Sequence, residues 1–264
     1  NKRDHRKTAV IDGRIGYVFG QGFASEWEGS GDGPSSWRDL GARVEGPVVA
    51  QIQGDFADNW MEETGEVLAK ERFFPHLERA GGLRAHVVPS SPRGGVSAAS
   101  LLLTLLIGAA CEELVIQTPY FAPDRRMTEL LEAAVARGVR VRLMVPGPVT
   151  DSRWSREAGR RRYDRLLAAG VEIWEHQRTL IHLKVVVVDG FWSHLGSVNF
   201  DARSFGINEE VSLGVLGPEI AGELTSDFEK DLEHAERIEL EGWRRRPWWR
   251  KVRERAAAAL TGQL

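Results

Sequence analysis

The 264-residue chain has a single cysteine, Cys111, so no disulfide framework can staple it. No CxxC pair, Cys/His cluster or acidic cluster with metal-ligand spacing occurs, and no metal or cofactor is expected. No apolar run is long enough to cross a bilayer. The longest, Ala98 to Cys111, contains Ser, Thr and Gly and suits a buried helix. A net charge of −3 gives no global attraction for nucleic acid. The first residue is Asn1, with no apolar leader behind it, so the sequence is expected to open inside a longer protein rather than on a signal peptide.

What is present is a 42% hydrophobic chain, enough to bury a sizeable core in one or two domains. Short strands are predicted at 7–11 and 15–19 around an Asp12-Gly13 turn, and at 41–45. A loop rich in Gly, Ser and Pro covers 24–37, and a helical pattern runs from Val48 to about Lys70. Beyond Gly81-Gly82, strands are predicted at 83–88, 114–117, 139–145, 171–174, 184–188 and 191–195. Helices are predicted at 97–113, 127–137 and 156–169. This alternation implies a layered α/β fold.

An internal repeat organises the chain. His5-Arg6-Lys7, four residues and Asp12-Gly13 recur as His182-Leu183-Lys184, four residues and Asp189-Gly190. Asp39, six residues and Gly46-Pro47 recur as Glu210, six residues and Gly217-Pro218. The interval between blocks is longer in the first copy, consistent with a loop insertion at 28–36.

Strand alternation puts His182 and Lys184 on one face. A hairpin through Asp189-Gly190 returns the chain to Gly196-Ser197-Val198-Asn199, so Ser197 and Asn199 come near that face. A histidine, an ammonium, a hydroxyl and an amide together suit a phosphoryl group. One imidazole cannot be nucleophile and acid in the same step, but two copies can divide those roles. Lys7 and Lys184 would supply the positive charge that a metal supplies in other phosphoryl-transfer sites. Each histidine needs a partner on its far nitrogen, and Asp39 and Glu210 stand at equivalent places. The expectation is one complete site per copy: His182 with Lys184, Ser197, Asn199 and Glu210, and His5 with Lys7 and Asp39. Asp12 and Asp189 are counted with the catalytic motif, although their place at a turn points to local fold-holding. His76, His86, His176, His194 and His234 lack such context and are read as structural or surface residues.

These residues resemble the phospholipase D superfamily, whose hallmark is a duplicated HKD motif, and are most like its cardiolipin synthase-like bacterial branch. The likeness rests on 1–13, on Trp37-Arg38-Asp39 and Arg43-Val44-Glu45-Gly46-Pro47, on 118–124 (TPYFAPD), on 182–190, on 196–205 (GSVNFDARSF) and on Asn208-Glu209-Glu210-Val211. The resemblance implies a two-lobed α/β/α sandwich with pseudo-two-fold symmetry. Its first lobe, truncated at the N-terminal side, would cover 1–82, the second 83–234, and a tail 235–264. It also implies phosphatidyl transfer through a phosphohistidine on His5, with phosphatidylglycerol as donor and acceptor, at the cytoplasmic face of a bacterial inner membrane. A nuclease of the same superfamily, acting on nucleic acid, and a degenerate membrane-binding relative are the alternatives.

The first copy departs from the pattern: Gly20 and Gly22 stand where the second has Ser197 and Asn199. Two phosphate donors are thereby missing on that side, each worth about 1–3 kcal/mol. Residues 243–255 (WRRRPWWRKVRER) hold seven Lys/Arg and three Trp. An amphipathic helix over 248–260 and membrane-surface contact through 243–260 are expected there.

Overall fold

The computed structural model describes residues 3–29, 31–92, 97–249, 252 and 254. Its elements, in chain order, are β1 (Thr8–Ile11), β2 (Ile15–Phe19), a 3₁₀ turn (Ser25–Trp27), β3 (Gly41–Glu45), α1 (Val48–Thr64), β4 (Arg84–Ser90), α2 (Ala98–Ala109), β5 (Glu113–Gln117) and α3 (Arg125–Ala136). There follow β6 (Arg140–Pro146), α4 (Arg153–Arg160), α5 (Tyr163–Ala169), β7 (Glu172–His176), β8 (Val185–Val188), β9 (Trp192–Gly196), α6 (Ala202–Gly206), β10 (Glu210–Leu216), α7 (Pro218–Leu232), β11 (Ala235–Arg237) and α8 (Leu240–Arg244).

Two sheets form. The smaller has the order β1-β2-β3; the larger has the order β11-β7-β6-β5-β8-β9-β10-β4. β5, β6 and β7 run parallel, and β8 enters antiparallel to β5. The four valines of β8 are buried throughout, as the centre of a two-faced sheet requires, and each contributes about 1.5 kcal/mol or more. The repeat in the sequence is a repeat in space. Thr8 faces Val18 as Val185 faces Leu195, and Phe19 faces Gly41 as Gly196 faces Ser212. The hairpin turns match too, with Asp12 and Asp189 both in the left-handed region (φ 53° and 51°).

One face of the large sheet packs α2, α3 and α5 through Leu103, Ile107, Leu131 and Leu166. The other face packs α7 and also the small sheet. Val18 and Ile52 from the first unit share a core with Val87, Ile181, Leu195, Leu213 and Phe228 from the second. That shared core fixes how the two histidine-bearing strands face each other.

Element boundaries differ from the sequence expectation for identifiable reasons. α1 stops at Thr64 rather than near Lys70, because Gly65 adopts the left-handed cap (φ 72°) and its N–H bonds the Met61 carbonyl. α2 stops at Ala109 rather than Glu113. The Asp189 carboxylate takes the N–H groups of Cys111, Glu112 and Glu113 at 2.8–2.9 Å and starts β5 there. β4 runs on through Pro89, which an edge strand tolerates. The helix expected over 156–169 is two: α4 is drawn onto buried Glu175 by Arg156 and Arg160, while α5 follows Leu166 into the core.

Candidate active site

Two backbone bridges build the site. Asp4 pairs in parallel with Glu209, and Arg38 pairs in parallel with Ile181. In the first, the His5 N–H donates to the Glu209 carbonyl at 2.9 Å; in the second, the His182 N–H donates to the Arg38 carbonyl at 2.7 Å. Each bridge therefore sets a histidine of one unit beside the carboxylate of the other. His5 Nδ1 lies 2.9 Å from Glu210 Oε2, and His182 Nδ1 lies 2.7 Å from Asp39 Oδ2. This corrects the sequence reading, which kept Glu210 with His182 and Asp39 with His5. The carboxylates are exchanged between units because the connection is made by main-chain pairing across the interface.

Ion pairs hold both bridges. Arg6 donates to Asp55 on α1 at 2.7 Å and also reaches Glu209, the residue before Glu210. Arg38, the residue before Asp39, pairs with Asp231 on α7 at 2.5 Å.

Glu210 is fully buried and saturated. Its carboxylate accepts from Ser197 at 2.5 Å and Ser204 at 2.7 Å besides meeting His5. A buried carboxylate needs such partners to stay charged. Lys7 donates to the His5 carbonyl at 2.8 Å. Burial lowers its pKa, opposed by Glu210 and Asp39.

His182 is more enclosed than His5, its side chain 6% exposed against 26%. Lys184 Nζ sits 2.5 Å from its Nδ1 and 3.6 Å from Asp39, and donates to the His182 carbonyl at 2.6 Å. Burial, and next the Lys184 cation, push the His182 pKa down to about 4, against the pull of Asp39. Burial likewise brings Lys184 down to about 8, opposed chiefly by Asp39. With Nδ1 engaged by the carboxylate, each imidazole keeps Nε2 for chemistry. Asn199 is buried, and its side-chain oxygen has no hydrogen-bond partner among the described residues.

Three aromatic rings surround His182: Trp27 at 4.8 Å, Trp37 at 5.4 Å and Tyr120 at 6.0 Å between centroids. Tyr120 also hydrogen-bonds Asp151, and its pKa is raised by burial and by that carboxylate. Sequence reasoning missed these rings, together with Ser204. A readable signal existed, since two tryptophans inside a Gly/Ser/Pro-rich loop are out of place in a solvated segment.

The glycine departures have a steric meaning. A Cβ on Gly20 would stand 2.6 Å from Asp39 Oδ1, so the carboxylate fills the space that a serine side chain would need. Asp12 and Asp189 are corrected out of the reacting set. Asp189 is occupied with the three β5 N–H groups beyond the far end of β8 from His182, and Asp12 is exposed at the matching turn. Trp243 is also corrected. It is buried against Tyr163 (4.9 Å) with Arg246 and Arg160 over its ring, so it belongs to the core and not to a membrane-facing tail. In the expected 248–260 helix, residues 250, 251, 253 and 255–260 lie outside the described residues. Among the described residues, no group of acidic, His or Cys side chains could hold a metal ion, and no helix is long and apolar enough to cross a membrane.

The depressed His182 pKa sets a pH dependence. Between about 6.5 and 4 the unfolded chain binds a proton that the folded chain refuses, so stability is full above 6.5 and falls on acidification. Buried His194, also near 4, acts in the same direction. In urea unfolding from pH 7 to pH 4, His182→Gln is expected to flatten the loss by about 1.4 kcal/mol per pH unit at most. An unaltered slope contradicts the burial argument.

Residues 103–232 match the family described as cardiolipin synthase, PLD-like domain. The chain is 33% identical over its whole length to a cardiolipin synthase of Halalkalibacterium halodurans, covering 53% of that protein. It is 35% identical over 88% of its length to cardiolipin synthase A of Pseudomonas aeruginosa (strain LESB58), covering 48% of it. The chain thus spans about half the length of these relatives. In fold alone it is similar to the phosphatidylserine synthase of Haemophilus influenzae Rd KW20 (TM-score 0.71, 15% identity, 99% of this chain and 69% of that one). It is also similar in fold to Nuc of Salmonella typhimurium (TM-score 0.50, 21% identity, 60% and 99%). With its twofold His-x-Lys hairpins and these relatives, the chain belongs to the phospholipase D superfamily, in its cardiolipin synthase-like branch.

Proposed function

We propose that this chain carries the paired-histidine centre of a phosphatidyl-transfer enzyme that acts on phospholipids, with phosphatidylglycerol as the favoured donor. The observation that supports this best is the crossed geometry: two imidazoles, each tied through Nδ1 to a buried carboxylate of the other unit, with lysines beside them. In this reading 1–82 and 83–234 each supply half of one site, and 235–264 follow as a tail. One Nε2 attacks phosphorus, forming a P–N bond as the P–O bond to the leaving alcohol breaks. The other imidazole gives that oxygen its proton. An acceptor alcohol or water then attacks phosphorus and passes its proton to the second imidazole, and the P–N bond breaks. Lys7, Lys184 and Asn199 would neutralise and hold the phosphate oxygens. Asp39 and Glu210 would fix the tautomers and stabilise whichever imidazole is charged.

The test is direct. Protein incubated with phosphatidylglycerol micelles should release glycerol and form a two-phosphate lipid, and labelled single-stranded DNA should stay intact. His5→Asn and His182→Asn should each lower kcat about 10³-fold or more. A rapidly trapped phosphoramidate should map to one of these two residues. Full activity in either variant contradicts the proposal, as does cleavage of DNA with no action on lipid.

The finer localisation belongs to the same reading. We place the protein at an anionic membrane surface, cytoplasmic in a bacterium, with contact through the tail. Trp248 is 75% exposed, and Trp249 and Val252 are exposed near it within the arginine-rich segment. Removing 243–264 would take Trp243 out of the core, so point changes are the sounder test. Trp248→Ser should weaken sedimentation with phosphatidylglycerol vesicles and leave the thermal midpoint unchanged. Undiminished vesicle binding contradicts the tail assignment.

A further inference from the structure

Beside His182 stands a pair of side chains that the proposed reaction does not use. The Tyr120 ring meets the His182 ring edge-on at 6.0 Å, and the Tyr120 hydroxyl donates to the Asp151 carboxylate. Asp151 is exposed; among the described residues it pairs with no cation, and Tyr120 is its only hydrogen-bond partner. Main-chain contacts build this placement. Phe121 bridges Phe200 in parallel, and the Ala122 N–H donates to the Phe200 carbonyl at 2.8 Å, which brings the chain at Tyr120 alongside that at Asn199. α4 packs on the same stretch at Gly159, where the Phe121 carbonyl leaves no room for a Cβ. The segment between β6 and α4 is tied at one end by the Gly147 N–H on the His176 carbonyl (2.8 Å) and at the other by the Ser155 N–H on the Ser152 hydroxyl (3.3 Å). Asp151 therefore sits on a segment held at both ends, and reaches a tyrosine 31 positions away. Both segments leave the carboxyl ends of the parallel strands β5 and β6, the edge of an α/β sheet where ligands bind.

A carboxylate is a poor neighbour for a phosphodiester. The field of Asp151 reaches the imidazole, since it acts to raise the His182 pKa against burial and Lys184. Two like charges in one cleft repel, so a carboxylate kept there implies a further group that donates hydrogen bonds to it. In a phospholipid the glycerol backbone and its acyl esters offer acceptors only, and spare donors occur in the headgroup. The acceptors here are the Asp151 carboxylate and the Tyr120 oxygen, whose own proton is already engaged. An ammonium headgroup also donates, but Lys184 lies next to His182, 3.6 Å from Asp39, and Lys7 stands behind His5. A third cation in this centre would be repelled by both. A polyol brings donors without charge.

We infer that Asp151, held by Tyr120, forms a subsite beside His182 for the free hydroxyl groups of a polyol, the glycerol headgroup of phosphatidylglycerol as leaving group or as acceptor. This inference rests on the phosphatidyl-transfer reading above. Asp151 is the acceptor that recognises the polyol, and Tyr120 positions it. A headgroup without spare hydroxyls gains nothing from the pair.

Asp151→Ala removes the carboxylate from an exposed position, and Tyr120→Phe keeps the ring on His182 while releasing the carboxylate. Binding is read by calorimetry with two soluble phosphates, glycerol 1-phosphate and ethyl phosphate, so that no turnover is needed. The parent should bind glycerol 1-phosphate about tenfold more tightly than ethyl phosphate, the effect of one hydrogen bond to a charged group. Both variants should bind the two phosphates equally, and their retained affinity for ethyl phosphate shows that they are folded. In turnover, Asp151→Ala should lower kcat/KM about tenfold for phosphatidylglycerol and leave phosphatidylethanol at the parent value. Equal binding of the two phosphates by the parent, or a preference that survives Asp151→Ala, overturns the inference whether or not lipid is turned over. Tighter binding of ethanolamine phosphate than of glycerol 1-phosphate overturns it in favour of an ammonium subsite. A preference for glycerol 1-phosphate that depends on Asp151, in a protein that transfers no phosphatidyl group, contradicts the reaction reading alone.

Discussion

Two short parallel backbone contacts between the repeats hold this structure's chemistry together. Where the chain leading to each histidine pairs with the chain leading to the opposite carboxylate, a hydrogen bond to the Glu209 or Arg38 carbonyl sets the imidazole in place. The His5–Glu210 and His182–Asp39 pairs follow from that register. Neither unit owns a complete site. The shared core of Val18, Ile52, Leu195 and Leu213, and the Arg6 and Arg38 ion pairs, matter because they keep the register. A slip of one residue would turn these side chains to the other face.

The two halves of this pseudo-symmetric centre are not equal. Glu210 reaches across one methylene farther than Asp39 and is saturated by two serine hydroxyls. Asp39 is shorter and presses against the bare backbone of Gly20, so the missing serine is a fit to the shorter acid. The enclosed His182 is kept neutral by burial and by Lys184, while His5 remains more open.

Much of this was legible in the sequence, and what was not has a common cause. The hairpins, their Asp-Gly turns and the buried valine strand are local, and they appear in the structure with the spacing that the repeat demands. The pairing of His182 with Lys184, two residues apart, was readable for the same reason, whereas Ser197, expected beside them, instead donates to Glu210, the carboxylate that meets His5. The exchange of Asp39 and Glu210 was not readable, because it depends on contacts between residues 143 and 205 positions apart. Helix ends failed similarly. α2 stops where it does because a carboxylate from Asp189, 78 positions from Cys111, takes the N–H groups a helix would have used. Trp243 shows the limit of composition: an arginine-rich, tryptophan-rich string looks membrane-seeking, yet this ring is stacked in the core between Tyr163 and Arg246.

The central claim is that each histidine is governed by the carboxylate of the opposite unit. The most direct measurement is ¹⁵N NMR of the ring nitrogens in imidazole-labelled protein, with His5 and His182 assigned by substitution. Asp39→Asn should move the Nδ1 resonance of His182 and leave that of His5 in place, and Glu210→Gln should do the reverse. Each substitution perturbing the histidine of its own repeat would contradict the account.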